Sequence, residues 1–146
     1  MTLSTINFDG LKEIGELTAI LKLYNGAKEY LEGYKWCISV IKGWYESNFS
    51  IHEKIGVFLF EIEPMGETVD KFIWIIIGDL PTMYLDEGVK TSQEALELYC
   101  ELMSEWADNI VEGRALNGCY PVDAEPTIEN ADLLRRRIVF IRKELL

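Results

Sequence analysis

Ile55-Gly56-Val57-Phe58-Leu59-Phe60-Glu61-Ile62 and Phe72-Ile73-Trp74-Ile75-Ile76-Ile77 are the two runs that decide the fold. Both are rich in β-branched and aromatic residues and have the length of strands rather than helices. Between them, Glu63-Pro64-Met65-Gly66-Glu67 carries turn residues, so an antiparallel hairpin is the simplest pairing. Apolar side chains occupy odd and even positions alike, which predicts that both faces of the hairpin are covered. An exposed Phe-Ile-Trp-Ile-Ile-Ile strand would template aggregation, which places it in the sheet interior. After Gly78-Asp79-Leu80-Pro81 turns the chain, Met83-Tyr84-Leu85 adds a short edge strand. Asp79 is expected to bond backbone amides in that turn.

On the amino-terminal side, Leu11, Ile14, Leu17, Leu21 and Tyr24 recur at helical spacing, with Lys12, Glu13 and Glu16 between them. Asn25-Gly26 offers a stop or a kink. A second helical pattern, one helix or two short ones, runs through Tyr30, Tyr34, Cys37, Ile41 and Trp44 or Tyr45, and ends near Ser47-Asn48. Gly33 and Gly43 weaken that pattern. On the carboxyl-terminal side, Thr91-Ser92-Gln93-Glu94 is a capping box that opens a helix to about Glu112, with Gly113 placed to cap its end. Pro121 and Pro126 break the next stretch, and Pro126-Thr127 starts a final helix. The expected architecture is one α+β domain over residues 1–146: an antiparallel sheet of two or three strands covered by about four helices. No repeat, low-complexity tract or linker divides the chain.

Composition excludes several classes. The 146 residues are 49% apolar and 27% charged, enough for a buried core. The longest apolar run, Phe72 to Ile77, is far too short to cross a bilayer. Met-Thr-Leu-Ser-Thr starts the sequence with no basic residue and no apolar stretch behind it, so no secretory signal is visible and a cytoplasmic location is expected. Cys37, Cys100 and Cys119 are an odd set with no close pairing; they sit among apolar neighbours and read as buried thiols in a reducing compartment. The net charge of −11 opposes direct contact with nucleic acid or an anionic membrane. That charge is concentrated: residues 61–132 hold 17 acids against Lys71, Lys90 and Arg114, whereas residues 133–146 hold five bases against Glu144.

The sharpest feature lies on the helix opened by Thr91. Glu94, Glu97, Glu101, Glu105, Asp108 and Glu112 are spaced 3, 4, 4, 3 and 4 apart. At ~100° per residue they fall within a wedge of roughly 80° on one side of the helix. Ala95, Tyr99, Leu102, Met103, Trp106 and Ile110 make the opposite, sheet-facing side. No Lys or Arg occurs from Thr91 to Gly113. An ordinary solvated face mixes signs, because a Glu–Lys pair at this spacing stabilises a helix by about 0.2–0.5 kcal/mol and a like pair costs as much. The plain alternative is an acidic surface that serves solubility. The functional reading is a row of negative charge that stands in for a phosphate backbone before a basic protein. Neutralisation of the row by the basic terminal helix would remove that reading.

Groups for catalysis are scarce. His52 is the only histidine, read as a surface loop residue. There is no Cys-x-x-Cys, no Gly-x-Ser-x-Gly and no glycine-rich phosphate loop. No stretch has calcium-loop spacing. No catalytic residue, metal ligand or cofactor is therefore assigned, and the chain is not expected to be an enzyme. Trp36, Trp44, Trp74 and Trp106 fall on faces assigned to the core and read as packing residues rather than a ligand cage.

Trp36-Cys37, then Ile55 to Phe60, then Trp74 leading into Gly78-Asp79-Leu80-Pro81 with Tyr84, then Ala95-Leu96 with Tyr99, Met103 and Trp106, then Pro121-Val122, Pro126-Thr127, Ala131 and Arg137 occur in this order. The order resembles that of short bacterial proteins akin to immunity proteins of contact-dependent inhibition or polymorphic toxin systems. It covers roughly residues 30–146, with Gly-Asp-Leu-Pro-x-x-Tyr as its most distinctive piece. The resemblance supplies a fold and a role, but no functional residues. It implies a cognate toxin domain as partner, and the acidity of the chain makes that domain basic, in keeping with a nuclease. The expected contact residues are Glu94, Glu97, Glu101, Glu105 and Asp108, with Asp86 and Glu87 from the preceding loop. Two rival readings are an acidic adaptor or homo-oligomeric module without a toxin, and a carboxylate-based hydrolase.

Overall fold

The computed structural model describes residues 14–51, 54–67, 70–86 and 88–146. His52 and Glu87 lie outside the described residues, as does the start of the expected first helix. Eight elements follow in order: α1 (Ile14–Glu32), β1 (Cys37–Tyr45), a 3-10 turn (Ser47–Phe49), β2 (Ile55–Pro64), β3 (Phe72–Gly78), β4 (Leu80–Leu85), α2 (Ser92–Val111) and α3 (Ile128–Glu144). The four strands form one antiparallel sheet in sequence order, so β2 and β3 are interior and β1 and β4 are edges.

Alternation along the interior strands builds two cores. Phe58, Phe60, Ile62, Ile73 and Ile75 project to one face and meet Ile20, Tyr24, Ala27 and Leu31 of α1. Val57, Trp74 and Ile76 project to the other and meet α2 and α3. The apolar residues at both parities are thereby accounted for: helices cover each face. A three-layer α/β/α arrangement results, with α1 alone on one side and the α2–α3 pair on the other.

The described residues form four strands and three α-helices where two or three strands and about four helices were expected. The difference lies in residues 37–45, where a strand replaces the expected second helix. Two register shifts explain the misleading pattern. Cys37 pairs with Pro64 and Ser39 with Glu63, then Val40 with Ile62 and Lys42 with Glu61, so Ile38 and Ile41 are each an extra residue. Each bulge converts a spacing of two into one of three, and the inward residues Cys37, Val40 and Gly43 mimic a helical repeat. Gly43 is required where it stands: a Cβ there would lie 2.7 Å from the Phe60 ring and 2.9 Å from that of Tyr24.

Asn25-Gly26 does not stop α1. The helix runs through it, and Gly26 marks a close approach to the sheet, with a Cβ there only 3.3 Å from the Ile77 methyl. Gly78 is the tightest joint, since a Cβ would fall 2.2 Å from the Lys54 carbonyl oxygen and its φ is +151°. Asp79 donates its backbone N–H to that same carbonyl at 2.7 Å. Its carboxylate does not bond backbone amides as expected; it pairs with Arg137 of α3, whose Nε also donates to the Asp79 carbonyl at 3.1 Å.

Candidate functional site

α2 begins at Thr91, whose hydroxyl accepts the Glu94 N–H at 3.1 Å. The Glu94 carboxylate reaches back to the Lys90 N–H at 2.9 Å, one residue earlier than a capping box predicts. Two bonds from aromatic side chains fix how α2 lies on the sheet. Trp74 Nε1 donates to the Val89 carbonyl at 3.1 Å, and the Tyr99 hydroxyl donates to the Pro81 carbonyl at 2.9 Å. Ala95, Tyr99, Met103 and Trp106 are buried, and Leu102 and Ile110 are half-buried, as the sheet-facing side requires.

The opposite side carries the acidic row. Glu94, Glu97, Glu101 and Glu105 are exposed. Among the described residues, no Lys or Arg forms an ion pair with any of the four. Glu97 accepts only a side-chain bond from Gln93, at 3.2 Å. The row is shorter than the spacing implies. Asp108 is half-buried and held by Arg135 of α3, whose Nε stands 3.2 Å from Oδ1, and Glu112 pairs with Arg114. Arg135 of the terminal helix and Arg114 of the segment after α2 thus neutralise one end of the row and leave the other four carboxylates open. Arg142 approaches from the same helix: its positive charge and the negative charges of Glu97 and Glu101 all bear on the Cys100 thiol, which burial pushes up to about 11.

Asp86 is exposed on the loop between β4 and α2, where its charge bears on Tyr84. Glu87 lies outside the described residues. Cys37 and Cys100 are buried, whereas Cys119 is half-buried and receives the Asn109 side-chain amide at 3.0 Å. Among the described residues, no cluster of His, Cys, Asp and Glu could hold a metal ion, and no helix is long and apolar enough to cross a membrane.

A second concave site has no counterpart in the sequence pattern. Tyr30 and Tyr34 from the end of α1 and the turn after it, Tyr84 from edge strand β4, and Tyr120 from the α2–α3 connection surround a hollow of about 650 Å³. All four are half-buried. Trp36, expected in the core, is also half-buried; it stacks on Tyr34 at 4.9 Å and meets Tyr84 at 5.2 Å. Trp44 is likewise half-buried, and of the four tryptophans only Trp74 and Trp106 belong to the core. Tyr30 and Tyr34 lie at helical spacing and so read as packing residues. Nothing in the sequence tells that Tyr84 and Tyr120 join them. Two further hollows, of about 480 and 260 Å³, share Leu80, Arg136 and Arg137, and the smaller one adds Lys54. No family model, curated protein or solved structure significantly matches this chain.

Proposed function

We propose that this chain is an immunity protein of the cytoplasm, and that it neutralises a basic toxin domain by stoichiometric occlusion through the outer face of α2. The observation that carries the reading is the row Glu94, Glu97, Glu101 and Glu105, exposed and without an ion-pair partner among the described residues. Like charges at this spacing cost roughly 0.2–0.5 kcal/mol per pair, a penalty that a cationic partner removes on binding. Asp108 leaves the set of contact residues because Arg135 already occupies it. The toxin supplies the opposite potential, and the carboxylates take the place of its nucleic-acid phosphates. The test is coexpression with the basic carboxyl-terminal domain of a large secreted protein encoded beside this chain. Protection of the cells and a one-to-one complex are expected. A toxic domain that kills regardless and does not co-purify contradicts the proposal.

One observation favours an apolar contact between chains as the second reading. Ile38 and Ile41, the two bulged residues of the edge strand β1, are 52% and 50% exposed. Self-association through this edge would be insensitive to salt and would persist when the α2 row is replaced.

A further inference from the structure

We propose that the tyrosine-lined hollow beside β4 binds an organic cation with an alkylated ammonium head, of which choline is the simplest probe. The rings meet at steep angles and so form walls rather than a stack: 79° between Tyr30 and Tyr34, 67° between Tyr34 and Tyr84, and 68° between Tyr84 and Tyr120. The walls are held in place before any ligand arrives. The Tyr34 hydroxyl donates to that of Tyr30 at 3.0 Å, and the Tyr120 hydroxyl accepts the Tyr84 N–H at 3.4 Å. Trp36 backs Tyr34, and its own carbonyl accepts the Met65 N–H at 2.9 Å.

Charge selects the class of ligand. Asp123 lines the hollow, Asp86 lies close enough to Tyr84 for its charge to be felt there, and no basic side chain is in the lining among the described residues. Burial keeps the Tyr30, Tyr84 and Tyr120 hydroxyls protonated through the physiological range, so the rings present neutral π-faces and not phenolates. An anion would meet carboxylates without a counter-charge. A neutral apolar group would gain ring contact but nothing from the carboxylates. A bulky ammonium gains from both, since ring faces carry negative quadrupole density and the head group is weakly hydrated. About 650 Å³ accommodates such a group together with part of its chain. Neither Asp86 nor Asp123 belongs to the acidic row of α2, so replacements in that row leave this site unchanged.

The experiment titrates the full chain with choline and with its uncharged isostere 3,3-dimethylbutan-1-ol, reading heat, with intrinsic tryptophan fluorescence as a second signal. Choline is expected to bind with the isostere about tenfold weaker. Tyr84→Ala should abolish binding, while Tyr84→Phe, which keeps the ring and the packing, should retain it. Asp123→Asn should weaken choline and leave the isostere unchanged. Equal binding of the two probes overturns the proposal in favour of a merely apolar hollow. Absence of choline binding to the folded wild-type chain, or its survival in a folded Tyr84→Ala variant, overturns it outright.

Discussion

Arg135 of α3 reaches the Asp108 carboxylate of α2, 27 residues away, and so sets where the open acidic face of α2 ends. One turn earlier on α2, Glu105 is exposed and has no ion-pair partner among the described residues. A single α3 side chain therefore separates the one carboxylate of the row that ties α2 to α3 from the carboxylates that face outward. Both partners of the Arg135–Asp108 pair remain partly solvated, so a double-mutant cycle of Asp108→Ala and Arg135→Ala should give a coupling of about 0.2–1 kcal/mol, weakened by added salt.

Glu105→Lys should stabilise the free chain. It replaces repulsion with Glu101 and Asp108 by attraction, with Glu101 on the favourable amino-terminal side of the new lysine. The gain should be about 0.5–1 kcal/mol by denaturant midpoint, shrinking at high salt. A replacement that strengthens the fold while weakening the partner's binding is the signature of a surface kept for contact.

Gly78→Ala and Gly113→Ala should differ sharply. At Gly78 the new methyl meets the Lys54 carbonyl at 2.2 Å, on a joint between interior strands, and a loss of about 3 kcal/mol or more is expected. At Gly113, with φ +70° and open space around it, the cost should be only ~1 kcal/mol. Thermal unfolding of the two variants makes the comparison.

Stability should fall as pH rises through alkaline values. The folded Cys100 thiol keeps its proton up to about 11, whereas the unfolded thiol loses its own near 9. Between those values the unfolded state binds fewer protons than the folded one, so the free energy of unfolding decreases with pH. Tyr99, buried and raised in the same direction, extends the decline. Cys100→Ala should flatten the slope between pH 9 and 11 in denaturant titrations. Iodoacetamide at pH 8 should leave Cys100 unmodified until the chain unfolds.

The interior hairpin was legible because β2 and β3 are continuous apolar runs whose covered faces leave no other reading. The α2 cap was legible because Thr91 accepts a bond from the residue three positions on, a local rule, and the start of α3 because Pro126-Thr127 marks one. β1 was not, because bulges at Ile38 and Ile41 erase the alternation that identifies a strand. The acidic row was legible as spacing, but its truncation was not. Whether Arg135 or Arg137 turns toward Asp108 depends on how α3 lies against α2, which no local pattern encodes. The tyrosine hollow was hidden for the same reason, since its walls come from α1, β4 and the α2–α3 connection.

The most direct test of the outward carboxylate row is calorimetric titration of a basic toxin domain into the wild-type chain and into a Glu97→Lys, Glu101→Lys, Glu105→Lys variant across a range of salt. Wild-type affinity should fall steeply as salt rises, and the variant should bind on the order of 100-fold more weakly at low salt. Equal Kd values for the two chains, with the same salt slope, would place the toxin contact elsewhere.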